Sequence, residues 1–132
     1  VLGKYGVCSD KVVLWGSGTP LREFLWSEEM ADASVFILEY VNFKDTYREG
    51  EKEIRNCHIN VGTGEEVSIS QLAKMISEVV DYKGEIKFDT SKPDGTMRKL
   101  TDPSKLHALG WHHKIEIEDG VRYLFEWYKT TL

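Results

Sequence analysis

The sequence predicts a small mixed α/β domain, and three observations carry that prediction. Short β-branched runs bounded by glycine alternate with longer segments of helical spacing. Two helical segments open on recognisable start signals, the capping box Ser68-x-x-Gln71 and the Asp102-Pro103 pair. The clear strands, Lys11 to Trp15, His58 to Val61 and Glu85 to Phe88, are too few for a complete doubly wound sheet.

The elements follow in order. Residues 1 to 10 carry little pattern. Lys11 to Trp15 is short, β-branched and closed by Gly16, which predicts a strand. Gly16 to Leu21 is a loop, and Arg22 to Trp26 a second short extended segment. Ser27 is placed as an N-cap, with Glu28 and Glu29 in the first turn, where acids favour the helix dipole. Met30, Ala31, Ser34, Val35, Leu38 and Val41 follow at helical spacing. Residues 43 to 55 are polar and read as a loop or irregular helix.

His58 to Val61 is the next strand, ended by Gly62-Thr63-Gly64. Leu72, Met75, Ile76, Val79 and Val80 form the apolar stripe of the following helix, which Gly84 is expected to break. Residues 89 to 100, "DTSKPDGTMRKL", form a loop by their Pro-Asp-Gly signal. A short helix after Asp102-Pro103 ends at Gly110. A last helix runs from about Glu116 to Lys129, with Val121, Leu124, Phe125 and Tyr128 facing inward.

Composition narrows the function. The chain has 132 residues, 41% hydrophobic and 30% charged, which fits a globular domain rather than a disordered one. A net charge of −5 gives no broad basic field for nucleic acid. No apolar run approaches the ~20 residues that span a bilayer, and no signal peptide opens the chain. Cys8 and Cys57 form no Cys-x-x-Cys pair, so a reducing, cytoplasmic setting is expected. A start at valine suggests a fragment.

Three candidate sites stand out. Gly16-Ser17-Gly18-Thr19-Pro20-Leu21 looks like a dinucleotide fingerprint, but Leu21 stands where the third glycine belongs and a proline interrupts the helix start. It reads as a strand-to-strand turn. Arg22 follows that turn beside Phe24 and Trp26. It either grips a phosphate bidentately or pairs with Glu23, Glu28 or Glu29. Arg98-Lys99 follows Pro93-Asp94-Gly95, a turn suited to a ribose hydroxyl and a phosphate, or to a solvated surface.

Other patterns carry less. Tyr40-x-x-x-Lys44 has the spacing of a proton-transfer pair, yet lies at a fraying helix end without an upstream cofactor turn. His58, His107, His112 and His113 lack metal-ligand spacing. No P-loop and no nucleophile elbow occurs.

The stretches "WGSGTPLREFL" and "KPDGTMRKL", with "INVGTGEEVSISQLAKMI" between them, closely resemble the C-terminal part of the GDP-L-fucose synthase family. These are extended short-chain dehydrogenase/reductases. The resemblance runs from about Lys11 to the end. It implies a residual linker over residues 1–10 and a C-terminal sugar-nucleotide-binding domain over residues 11–132, without the Rossmann half. It implies an enzyme that epimerises GDP-4-keto-6-deoxy-D-mannose and reduces it with NADPH.

The family's catalytic Ser, Tyr, Lys, Cys and His, and its NADPH turn, belong to the N-terminal half. The resemblance therefore implies no catalytic residue and no turnover here. It assigns Trp15, Arg22, Asp94 and Lys99 to the GDP-sugar, Asp94 and Lys99 lying beside ribose and phosphates. It also implies a homodimer when the enzyme is whole. Glu85 departs from relatives that carry an arginine at this point to meet the nucleotide. Two rivals are another nucleotide-sugar epimerase or dehydratase and a stand-alone binding module.

Overall fold

The computed structural model describes residues 10–47, 50 and 54–131. In chain order the elements are β1 (Lys11–Trp15), β2 (Leu21–Arg22), α1 (Ser27–Tyr40), a 3₁₀ turn (Phe43–Thr46), β3 (Val67–Ser68), α2 (Ile69–Val79), β4 (Glu85–Asp89), β5 (Arg98–Lys99), α3 (Ser104–Ala108) and α4 (Ile117–Thr130). The mixed α/β class is borne out. The expected linker over residues 1–10 and Cys8 lie outside the described residues, save for Asp10. No described helix is long and apolar enough to cross a membrane.

The chain divides into two compact units. The first holds described residues 10–22, 66–99 and 118–131. Its β1 and β4 pair in parallel, from Lys11 opposite Glu85 to Trp15 opposite Asp89. A second, mixed sheet has β2 at its centre, antiparallel to β3 and parallel to β5.

The capping box at the start of α2 forms as the sequence predicts. Ser68 Oγ accepts from the Gln71 amide at 3.1 Å, and Gln71 Oε1 accepts from the Ser68 amide at 2.8 Å. The far end of α2 differs from expectation. Asp81, with φ 53°, ends the helix before Gly84 is reached. The Tyr82 amide donates to Ser77 O and the Asp81 amide to Glu78 O. This is the 6→1 and 5→2 pairing that usually places glycine at the left-handed position. Asp81 is a short polar residue and tolerates it.

In α4, Val121, Phe125 and Tyr128 are half-buried, but Leu124 is exposed. The loop expected over 89–100 contains β5, because β2 offers residues 98 and 99 a partner edge.

The second unit holds residues 23–65 and 100–117, described from 23–47, 50 and 54–65 in its first part. Its core is Ala33, Leu106 and Trp111, with Leu25, Phe36, Ile37, Ile59 and Val61 against it. The face that α1 turns inward is therefore Glu29, Ala33, Phe36 and Ile37. Met30, Val35 and Leu38, from the stripe the sequence suggests, are exposed. Helical spacing marks both faces of this helix as apolar, and packing chooses between them. The N-cap is Trp26 rather than Ser27, and it makes no side-chain cap bond.

His58 to Val61 is extended but joins no sheet. Its alternation is satisfied by Ile59 and Val61 against the core. At its start His58 O accepts from the Lys105 ammonium at 2.9 Å, and the same ammonium donates to Thr46 O at 3.0 Å and to Asn56 O. Asp102 Oδ1 accepts from the Ser104 amide at 3.0 Å, but α3 begins at Ser104 with Pro103 as its N-cap, one residue later than the sequence predicts. Gly110, at φ 105°, closes α3, and the Trp111 amide reaches back to Leu106 O.

Candidate nucleotide-sugar site

The site lies in the first unit, where β1 runs into the glycine turn and β2 leaves it. Trp15 ends β1. Gly16 and Gly18 take φ of 86° and 77°, a region L-residues rarely enter. Close approach also demands them. A Cβ on Gly16 would fall 2.3 Å from Asp94 Oδ1, and one on Gly18 would fall 2.4 Å from the Phe88 ring.

The turn is stitched to the start of α2. Pro20 O accepts from the Ile69 amide at 3.1 Å, and Gly18 O from the Ser70 amide at 2.9 Å. With Gln71 capped by Ser68, the first three amides of α2 are all taken. An anion therefore finds no free helix N-terminus here of the dinucleotide-binding kind. The turn also leads into a strand rather than a helix.

Positive charge comes from side chains instead. Trp15, Arg22 and Asp94, with Pro20, Pro93 and Gly95, line one cleft of about 100 Å³. Whole small ligands occupy roughly 300–1,000 Å³, so this cleft suits one group of a larger molecule. Arg22 is half-buried, and its Nη1 donates to Leu21 O at 2.6 Å. Among the described residues it makes no ion pair. Its sequence-suggested partners are engaged elsewhere: Glu23 with Thr101 and Gly64, Glu28 with Trp26, Glu29 with the amides of Lys114 and Ile115.

The two basic residues of β5 part company. Arg98 pairs with Glu66 at 2.8 Å, which raises its pKa above the ordinary value. Lys99 makes no ion pair among the described residues and stands exposed opposite Arg22 in the parallel register. Residues matched across parallel strands project from the same sheet face, so Arg22 and Lys99 share one side. Lys99 does not line the cleft itself.

Trp15 is 76% exposed, with Lys92 Nζ 5.6 Å from its ring centroid. That leaves an indole free to stack on a planar or sugar surface. Asp94 accepts from Ser17 through both oxygens, and these bonds, the hydroxyl's first, hold its carboxyl below the usual aspartate range.

Sequence reasoning missed Ser17 and Lys92. Ser17 sits inside the quoted motif, but its partner is 77 residues away. Tyr40 and Lys44 do not share a helical face, because α1 ends at Tyr40 and Val41 is extended (φ −107°, ψ 118°). Among the described residues no group of three His, Cys, Asp or Glu is arranged to hold a metal.

Comparison with known proteins places the fold. Residues 2–62 match the NAD dependent epimerase/dehydratase family. The solved GDP-6-OMe-4-keto-L-xylo-heptose reductase from C. jejuni superposes with a TM-score of 0.87 at 42% identity, over 99% of this chain and 37% of that one. A GDP-L-fucose synthetase from Naegleria fowleri bound to NADP superposes at 0.74 with 26% identity, over 98% and 37%. The chain carries the fold of the extended short-chain dehydrogenase/reductases, over the part of them that it spans.

Within that class its sequence resembles the GDP-L-fucose synthases. It is 48% identical to the GDP-L-fucose synthase of Escherichia coli (strain K12), over 89% of this chain and 36% of that protein. The chain thus spans about a third of the length of the relatives it matches.

Proposed function

We propose that this chain is the substrate-gripping part of a GDP-L-fucose synthase, with residues 11–132 as its sugar-nucleotide-binding domain and residues 1–10 as the linker into it. The observation that carries the reading is the meeting of Trp15, Arg22 and Asp94 at one cleft, with Lys99 on the neighbouring strand. A pyrophosphate concentrates negative charge on a few oxygens. The planar guanidinium of Arg22 grips two of them at once, and the Lys99 ammonium approaches as a point charge from the same sheet face. Trp15 offers its indole to the sugar or base. Asp94 stands beside the ribose.

In this reading the grip does positioning work. It holds the GDP end so that the keto-sugar reaches the epimerising and reducing groups of the rest of the enzyme, which binds NADPH. The chain alone is expected to give no turnover, and the whole enzyme to be a homodimer. A second reading is favoured by the 42% identity to a GDP-heptose reductase: the same grip serving a different GDP-sugar.

Competition on the full-length protein tests the nucleotide class. GDP is expected to displace bound GDP-sugar at concentrations at least ~10-fold below UDP or dTDP, a difference of about 1.4 kcal/mol. Equal displacement by UDP or dTDP would move the chain to another branch of nucleotide-sugar enzymes.

A further inference from the structure

We infer that Ser17 and Asp94 form a clasp that positions Arg22, so that Asp94 governs ligand affinity through Ser17 rather than by touching the ligand. The inference rests on the nucleotide-sugar reading of the cleft.

Each carboxylate oxygen of Asp94 accepts from one and the same residue. The Ser17 amide donates to Oδ1 at 2.8 Å, and the Ser17 hydroxyl donates to Oδ2 at 2.7 Å. Because that hydroxyl gives its proton to Asp94, it accepts from Thr19, from the amide at 3.1 Å and from Thr19 Oγ1 at 2.7 Å. Proton donation therefore runs one way, from Thr19 to Ser17 to Asp94. Gly16 makes the approach possible, since any side chain there would collide with Oδ1.

The clasp reaches Arg22 through the next residue. A Cβ built on Gly95 would lie 3.4 Å from Arg22 Nη2, and the two residues line the same cleft, so this loop runs beside the guanidinium. Three residues on, the same segment enters β5 and carries Lys99 to its place opposite Arg22. One short loop is thus pinned to the glycine turn at Asp94, runs beside Arg22 at Gly95 and delivers Lys99. Releasing the pin frees the loop beside Arg22, and a cation pair that must organise on binding binds more weakly.

The test is a double-mutant cycle in the full-length protein, read as KM and kcat for the GDP-sugar and as Kd for GDP. Ser17→Ala and Asp94→Ala are each expected to raise KM and Kd about five- to tenfold, the range of one or two lost hydrogen bonds. The loss is expected to fall on KM rather than kcat. The double variant is expected to be no worse than the weaker single, because both remove one unit. Ser17→Thr, which keeps the amide and the hydroxyl, is expected to restore binding.

A large loss in Asp94→Ala with none in Ser17→Ala would overturn the inference and make Asp94 a direct ligand contact. Additive losses would overturn it too. Amide hydrogen exchange across residues 16–22 reads the clasp without any ligand and should accelerate in Asp94→Ala. Unchanged exchange there refutes the clasp. Accelerated exchange in a protein that binds no nucleotide sugar refutes the functional reading alone.

Discussion

Arg22→Ala in the full-length protein is expected to weaken GDP-sugar binding by about 10- to 100-fold while leaving the fold intact. The magnitude is that of lost hydrogen bonds to a charged group, about 1.5–3 kcal/mol. The fold survives because the side-chain bond that Arg22 makes among the described residues is to the carbonyl of its own neighbour, Leu21. Arg22→Lys is expected to recover only part of the affinity, since an ammonium cannot reproduce a two-pronged grip. Lys99→Ala is expected to cost less than Arg22→Ala, as a point charge outside the cleft. Calorimetric titration with GDP decides the matter, and unchanged affinity in Arg22→Ala would remove the clamp.

The second large effect concerns stability. Glu23→Gln is expected to destabilise the second unit by about 1–2 kcal/mol at neutral pH, the scale of charge-assisted hydrogen bonds at a partly exposed site. The Glu23 carboxylate accepts from the Gly64 amide at 2.7 Å, the Thr101 amide at 3.0 Å and the Thr101 hydroxyl at 2.7 Å. Thr63 Oγ1 adds a longer contact at 3.4 Å. It thereby joins segments on either side of a 78-residue separation. Gly62 is required beside it, because a Cβ there would lie 2.4 Å from Glu23 Oε1.

Burial pushes the Glu23 carboxyl up, but the bonds from Thr101, Gly64 and Thr63 outweigh it, and the net shift is downward from 4.5. The folded state thus holds the ionised form more tightly than the unfolded chain does. Its stabilising contribution is fully present above 4.5 and is lost as pH falls through the lower folded value. Urea unfolding of wild type and Glu23→Gln is expected to differ at pH 7 and to converge in acid. A gap of the same size at both pH values would contradict the assignment.

How much of this was legible depends on how local each interaction is. The capping box of α2 and the Gly110 stop involve residues within a few positions, and both formed where the sequence put them, while the start of α3 moved one residue along, to Pro103 as N-cap. β1 and β4 were legible because their β-branched residues are bounded by glycine or turn residues. His58 to Val61 has the same composition, yet its carbonyl partner is Lys105, 47 residues on, so a strand pattern became an unpaired segment. Asp81 took a glycine's role, which residue type alone does not announce. β5 exists because β2 lies beside it, and nothing within residues 89–100 says so.

The site divides the same way. Trp15, Arg22, Asp94 and Lys99 were nameable from two short motifs. Their arrangement was not. Which of Arg98 and Lys99 keeps a free charge is decided by sheet register and by Glu66. Where the Asp94 carboxylate is held is decided by Ser17, and neither motif contains both residues.

The most direct test of the central claim is product analysis. The full-length protein is incubated with GDP-4-keto-6-deoxy-D-mannose and NADPH, and the nucleotide sugars are separated. The expected result is GDP-L-fucose with matching loss of NADPH. NADPH oxidation with a GDP-heptose ketone but not with this substrate, or no turnover with any nucleotide sugar, would contradict it.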